Sequence, residues 1–136
     1  QPLGFEPHTR LQGIKIGKGS WPAKTRWRCL RRHNNFAALA VAIEGGRQHQ
    51  IRVHLAPFGT PILGDKLYAH GEEFFLAYLD GDADLSPLQS PRQTLHAWQI
   101  SFNDTGFQHA ITSPVPTLFS DLLHDHSPWE IPDIAL

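Results

Sequence analysis

The amino-acid sequence predicts an α+β fold in which a mainly antiparallel sheet carries a few flanking helices. Two observations indicate this class. Several short apolar runs alternate with the period of two that is typical of strands, and two other segments have apolar residues at helical spacing. The chain of 136 residues, with 40% apolar and 18% charged side chains, has the size and composition of one globular domain.

Three strands are predicted in the first third of the chain. Residues 1–10 contain two prolines and a glycine and are interpreted as an irregular lead-in, residues 12–16 as a short strand, and residues 17–20 as a turn. Two longer alternating runs follow at 25–31 and 36–44, with a short His-Asn-Asn turn between them. These two runs should form an antiparallel hairpin.

A helix is predicted for residues 48–58, because Ile51, Leu55 and Phe58 repeat at helical spacing. A strand is the alternative. Apolar residues also alternate at the centre of this segment, and Pro57 would remove a backbone donor from the last helical turn. The pattern favours the helix.

The remaining elements are shorter. Residues 72–79 form an apolar segment whose type the pattern does not decide, and the polar, proline-containing residues 81–92 are expected to form an exposed excursion. Residues 95–102 predict a strand, with 107–111 as its hairpin partner. A final helix is predicted at 116–123.

Charge is distributed unevenly along the chain. Residues 1–56 carry ten Lys and Arg side chains against two carboxylates, whereas residues 57–136 carry two against eleven. A basic segment of this kind is typical of a surface that meets a polyanion, because cations near phosphates release counterions and supply affinity. A solvated strand face beside an unrelated acidic surface explains the same asymmetry.

Several classes of protein and site are excluded or disfavoured. No apolar run approaches the roughly 20 residues of a membrane span, and no leader pattern opens the chain, so a cytoplasmic protein without a membrane partner is expected. The single cysteine, Cys29, excludes an internal disulfide. His49, His54 and the His-Asp-His run at 124–126 lack further spaced ligands, so no metal site is expected.

One stretch resembles a known signature. Residues 46–56 read GRQHQIRVHLA and residues 59–68 read GTPILGDKLY. Together they closely resemble the signature of RluA-type RNA pseudouridine synthases. Residues 22–25 (PAKT) and 95–97 (LHA) are similar to further segments of that family. A signature of this length is far more specific than a motif of three residues.

The resemblance implies a fold and a reaction. The chain should be part of a pseudouridine synthase catalytic domain that isomerises uridine to pseudouridine in rRNA or tRNA without a metal or another cofactor. In the family an aspartate attacks covalently, and Arg52 matches the arginine that would hold this aspartate ionised. Asp65 is a separate feature of the signature, and we expect its side chain to fix its own loop by bonds to backbone groups.

The family carries the nucleophilic aspartate in a His-Arg-Leu-Asp segment and a base-stacking tyrosine in a Tyr-x-Ala segment, and neither occurs in this sequence. Residues 1–136 are therefore expected to be the C-terminal portion of the catalytic domain, inactive alone. An apolar sheet face left uncovered would favour self-association. A non-catalytic RNA-binding module on the same scaffold is the alternative function, and an unrelated β-rich domain is a third.

Further site residues are assigned by position. Leu95 matches the apolar position that lines the uridine pocket in the family, although an ordinary core leucine explains it equally well. Arg47 is expected at an RNA phosphate or in a structural salt bridge. The side chains expected to contact RNA are Arg47, His49, Gln50, His54, Lys24, Arg26 and Arg28.

Overall fold

The computed structural model describes residues 3–6, 13–16 and 22–134. These contain strands, α-helices and two short 3₁₀ turns, so the α+β class is confirmed. In chain order the elements are β1 (Leu3–Glu6), β2 (Gly13–Ile16), β3 (Lys24–His33), β4 (Phe36–Glu44), α1 (Gln50–Leu55), a 3₁₀ turn at Ala56–Phe58, α2 (Glu72–Asp80), a 3₁₀ turn at Ser86–Leu88, β5 (Gln99–Asp104), β6 (Phe107–Thr112) and α3 (Thr117–Leu122).

The described strands form three separate two-stranded sheets, each made by consecutive strands, where the sequence suggested one mainly antiparallel sheet. The chain divides into two compact units. The first comprises Gln1–Arg28, Ala40–Thr94 and Asp133–Leu136, and the second comprises Cys29–Leu39 and Leu95–Pro132.

The lead-in prediction was wrong at its centre. Leu3–Glu6 is a strand, and it pairs antiparallel with Gly13–Ile16 in a register that puts Leu3 opposite Ile16. Prolines on both sides hid this strand, since its four residues are too few for alternation to stand out. The predicted turn at 17–20 lies outside the described residues.

The second hairpin, β3–β4, follows the prediction and turns at Asn34, which has φ 50°. Asparagine tolerates this left-handed conformation better than most side chains, and a two-residue turn joins antiparallel strands. On β4, Ala38 and Ala40 are buried. Small side chains there allow close packing of the strand.

The helix predicted from residue 48 is confirmed, and it ends earlier than expected. α1 covers six residues, Gln50–Leu55, and buries Gln50, Val53, His54 and Leu55. Pro57 lies in the 3₁₀ turn that follows, where its missing N–H is not needed by the α-helix. α1 therefore ends before the proline, and no hydrogen bond of the α-helix is lost.

The undecided segment is a helix. α2 begins after Gly71 and ends before Gly81. Gly81 has φ 81°, the left-handed backbone conformation in which many helices end. The excursion that follows is less exposed than predicted, because Leu88 and Ser90 are both buried. Ser90 Oγ donates to the Arg92 carbonyl at 2.7 Å. Residues 81–92 thus have an internal anchor.

Gly64 is required by a close backbone approach. Its φ is 78°, and a Cβ at this position would collide with the Arg92 carbonyl. Thr94 fixes the same region, since its N–H and its hydroxyl both donate to the Leu63 carbonyl, at 2.9 and 3.0 Å. The loop that carries Asp65 is held by these contacts.

The second unit contains a hairpin and a helix. β5 begins at Gln99, later than the predicted 95–102, and pairs antiparallel with β6 as expected. α3 confirms the final helix. Arg31 anchors the segment after it: the guanidinium lies 3.8 Å over the Trp129 ring and donates to the carbonyls of Asp125, Ser127 and Pro128.

Within the described ranges, none of the helices combines the length and the apolar character that crossing a membrane requires.

Candidate active site

The site is centred on an arginine of α1 and an aspartate of the following loop. Arg52 Nε donates to Asp65 Oδ2 at 2.7 Å, and Nη2 donates to Oδ1 at 2.9 Å. The carboxylate is fully buried, and the Arg52 side chain is 15% exposed. This is the bidentate geometry that a guanidinium fork makes and an ammonium group cannot. Removing one partner of such a buried pair costs about 3–5 kcal/mol.

Asp65 also fixes its own loop, as predicted. Its Oδ1 accepts the backbone N–H groups of Leu67 and Tyr68, both at 3.0 Å. Burial alone would raise the pKa of Asp65, but the Arg52 hydrogen bonds, these backbone bonds and the Arg52 charge outweigh it and lower the pKa below its ordinary value. Asp65 is therefore an ionised carboxylate whose two oxygens both accept hydrogen bonds within the fold.

Tyr68 extends the site. The Arg52 guanidinium lies 4.8 Å from the centre of the Tyr68 ring, and the Tyr68 hydroxyl is 3.0 Å from His49 Nδ1. Burial lowers the pKa of His49, and the Arg52 charge lowers it further while the Asp65 charge opposes. His49 is thus kept neutral more readily than an exposed histidine. Its backbone is left-handed, with φ 58°, at the start of α1.

Gln50 is bonded inside the fold, and its predicted contact with RNA stays a prediction. Its side chain is 2% exposed. Nε2 reaches the carbonyls of Lys24 and Glu44 at 2.7 and 3.2 Å and the Thr25 hydroxyl at 3.2 Å, while Oε1 accepts the Arg47 N–H at 3.0 Å. The amide fastens the first turn of α1 to β3 and to the end of β4.

His54 is also internal. It is buried, and its Nδ1 shares a hydrogen bond of 2.6 Å with the Thr25 hydroxyl. This bond joins α1 to β3, and a contact of His54 with RNA stays a prediction. The sequence could not distinguish His54 from His49, because His49 precedes α1 and His54 lies within it, and the spacing does not show which of them is buried.

The residues of the signature thus converge in the structure. The GRQHQIRVHLA stretch supplies His49 and Arg52, and the GTPILGDKLY stretch supplies Asp65 and Tyr68. Sequence reasoning named the first pair but missed Tyr68 and the direct bond between Arg52 and Asp65. The signal available was that both stretches belong to one signature, which favours a shared site.

Several curated proteins similar to this chain are named as pseudouridine synthases. The chain is 37% identical over 101 residues to the Ribosomal large subunit pseudouridine synthase D of Nitrosomonas europaea, which covers 73% of this chain and 27% of that protein. An uncharacterized RNA pseudouridine synthase of Synechocystis is 35% identical over 126 residues, covering 90% of this chain and 35% of the relative. The Neisseria meningitidis serogroup A pseudouridine synthase D is 31% identical, covering 90% and 32%.

The chain belongs to the RluA-type RNA pseudouridine synthase family. It spans about a third of the length of these curated relatives. No family model matches the chain.

The other residues predicted to contact RNA are basic side chains of the first unit. Arg28, Arg47 and Lys24 are exposed in the first unit, although Lys24 Nζ lies 3.8 Å from the Glu44 carboxylate. Arg26 is only partly exposed. Arg28, Arg47 and Lys24 are thus the exposed cations of the predicted RNA-contacting set, and their contact with RNA stays a prediction.

Leu95, the residue assigned to the uridine pocket of the synthase, belongs to the second unit and is 43% exposed. It is therefore not a buried core leucine in this chain. Its place in a nucleotide pocket stays a prediction. Among the described residues, no group of three or more His, Cys, Asp and Glu side chains could hold a metal ion.

Proposed function

We propose that the protein to which this chain belongs isomerises uridine to pseudouridine in RNA, and that residues 1–136 form the C-terminal portion of its catalytic domain. The observation that carries the proposal is the Arg52 site, which lies within the stretch shared with named RNA pseudouridine synthases. The guanidinium of Arg52 is partly enclosed and bonds Asp65 through Nε and Nη2, and we propose that its remaining N–H groups bind another anion.

The proposed reaction explains why an arginine is needed. The bond between ribose C1′ and base N1 breaks, the base turns, and a bond from C1′ to C5 forms, while C5 loses a proton and N1 gains one. No electron is transferred to another molecule, so no redox cofactor enters the balance. A carboxylate that attacks covalently must stay ionised in a desolvated pocket, and a guanidinium stabilises its charged form.

The proposed attacking carboxylate comes from a segment not present in this sequence. Asp65 is unsuited to that role, because both of its oxygens accept hydrogen bonds inside the fold and its side chain has no exposed surface. Arg52 is proposed to hold the attacking group, and Leu95 to line the uridine pocket. The chain alone should then lack activity.

We propose ribosomal RNA as the substrate class, with transfer RNA as the alternative, because two of the relatives named above are Ribosomal large subunit pseudouridine synthases. We also propose that the protein is cytoplasmic, which is consistent with a ribosomal RNA substrate. The exposed cations Arg28, Arg47 and Lys24 are proposed to contact phosphates, while neutral His49 would shape the pocket from the fold side.

The chain is also proposed to associate with itself when isolated. β5 and β6 expose an apolar face, and a two-stranded hairpin is marginal without cover. In the isolated chain, the same face of a second copy is the simplest surface that could bury these apolar side chains.

The test uses RNA in which uridine carries tritium at C5, since formation of the new bond at C5 releases that label as water. The complete gene product should release tritium, and the 136-residue chain should release none. Turnover by the chain alone would show that the attacking carboxylate is misplaced. RNA binding without tritium release by the complete protein would identify a binding module instead. Absence of any salt-dependent RNA affinity would remove both functions.

A further inference from the structure

Asp65 accepts four hydrogen bonds in the described part of the site. Oδ2 accepts Arg52 Nε, and Oδ1 accepts Arg52 Nη2 together with the backbone N–H groups of Leu67 and Tyr68. All four distances lie between 2.7 and 3.0 Å, and the side chain is fully buried. The carboxylate can neither rotate nor reach a substrate.

The bonds to Asp65 determine which part of Arg52 is left for another partner. A guanidinium has five N–H groups, and the Asp65 pair uses the side formed by Nε and Nη2. The opposite side, formed by Nη1 and the second N–H of Nη2, has the same parallel geometry and suits a second carboxylate. Tyr68 covers one face of the group, with its ring centre 4.8 Å away. The plane of the guanidinium is therefore set by its neighbours.

We propose that Asp65 is a positioning residue, which aims Arg52 so that one guanidinium bridges two carboxylates: Asp65 on the Nε side and the attacking carboxylate on the Nη1 side. This inference rests on the proposed function. Arg52 remains the residue that touches the reacting group, and Asp65 acts only through it. Positioning of this kind matters because a displacement of about 1 Å can reduce turnover roughly 100-fold.

Sharing one positive charge has a second consequence. With Asp65 ionised, Arg52 is partly neutralised, so it orients the attacking carboxylate more than it stabilises its charge. The titratable groups that face the pair in the described structure are His49, from the start of α1, and Tyr68, from the loop after Asp65. Lys66 lies beside Asp65 in sequence, with its Nζ over the Tyr78 ring at 4.8 Å.

The decisive variant is Asp65→Asn in the complete gene product. An asparagine oxygen can still accept the Leu67 and Tyr68 N–H groups, but its NH₂ group would face Arg52 Nε, so donor meets donor. We expect kcat to fall about 100-fold with little change in RNA affinity. The acidic limb of the kcat/KM profile should also move to lower pH by about one pH unit, because the attacking carboxylate gains the whole Arg52 charge.

The matched control is Asp84→Asn. Asp84 accepts the N–H of Ser86, two residues later, just as Asp65 accepts that of Leu67, but its partners in the described structure include no arginine. This variant should leave kcat and the acidic limb unchanged. If Asp65 had only a structural role, Asp65→Asn would reduce the folded fraction and leave the acidic limb of the kcat/KM profile in place.

The outcomes separate the two proposals. An unmodified protein that makes no pseudouridine overturns the proposed function. An active protein whose Asp65→Asn variant keeps its kcat, or loses kcat with an unmoved acidic limb, overturns the positioning role. If Asp65→Asn does not fold, Asp65→Glu retains the charge and displaces it by one methylene. For that variant kcat should fall while the acidic limb stays in place, and an unchanged kcat would refute the inference.

Discussion

At the scale of single residues, the pairing of Arg52 with Asp65 changes how the signature is understood. Two arginines occur in the GRQHQIRVHLA stretch, and only Arg52 is enclosed and bonded to a buried carboxylate, whereas Arg47 is exposed. Exposure and fixed orientation suit different tasks. Arg47 can adapt to a phosphate, while Arg52 presents a defined set of N–H groups.

Acidification should destabilise the chain in a way that depends on His49. The folded state lowers the pKa of His49, chiefly by burial, so the unfolded chain binds more protons below the ordinary value of about 6.5. The contribution of neutral His49 to the free energy of unfolding is therefore complete above that pH. It is lost as pH falls through the pKa that His49 has in the folded state. Urea unfolding between pH 8 and pH 5 should show a falling free energy of unfolding.

The variant His49→Asn should flatten that fall, because asparagine tolerates the left-handed backbone and does not titrate. His124→Asn is the matched control, since His124 is an exposed residue with φ 51°. Equal pH dependence in the unmodified and His49→Asn chains would refute the assignment. Asp65, whose pKa is also lowered, should add a second loss below about pH 4.

Residue identities alone could predict part of the site. The match to the signature singled out Arg52 and gave Asp65 a loop-fixing role, and the bonds to Leu67 and Tyr68 confirm the latter. The role of Gln50 was out of reach. Its amide bonds backbone groups up to 26 residues away, and no periodicity reports a tertiary contact of that kind.

At the scale of elements, the β5–β6 hairpin is amphipathic with its apolar face exposed. The register pairs Ile100 with Ile111 and Phe102 with His109, so these side chains share one face. Ile100, Ile111 and Phe107 are 63%, 62% and 70% exposed. An apolar surface of this kind is normally covered.

Association of the isolated chain should therefore depend on this face. Sedimentation of the 136-residue chain at increasing concentration should show dimers or larger species, and the double variant Ile100→Thr with Ile111→Thr should shift it towards monomer. Threonine retains strand propensity while it reduces apolar area. Gln108→Thr, on the opposite face of β6, is the control. A monodisperse monomer of the unmodified chain at high concentration would contradict the proposal.

Element types were predictable where a strong local pattern existed. The α1 helix and the β3–β4 hairpin were both predicted, the first from spacing and the second from alternation around a short turn. The short strand Leu3–Glu6 and the buried anchor at Leu88 were not. Four residues carry too little periodicity, and burial of a single loop leucine depends on contacts far along the chain.

At the scale of the whole molecule, the chain is similar to one part of longer proteins. It matches named pseudouridine synthases along most of its length but covers about a third of theirs. In the first unit, Arg52 bonds Asp65 through Nε and Nη2. The central claim is that this arginine holds an attacking carboxylate that another part of the complete protein supplies.

The most direct measurement is single-turnover pseudouridine formation by the complete gene product carrying Arg52→Lys. An ammonium group cannot bond two carboxylates in parallel pairs, so the rate should fall at least about 100-fold while RNA affinity stays within about twofold. Arg32→Lys, at an exposed arginine of β3 without an assigned role, is the control and should retain the rate. A loss confined to RNA affinity, with the rate of the bound complex unchanged, would contradict the account and make Arg52 a phosphate contact.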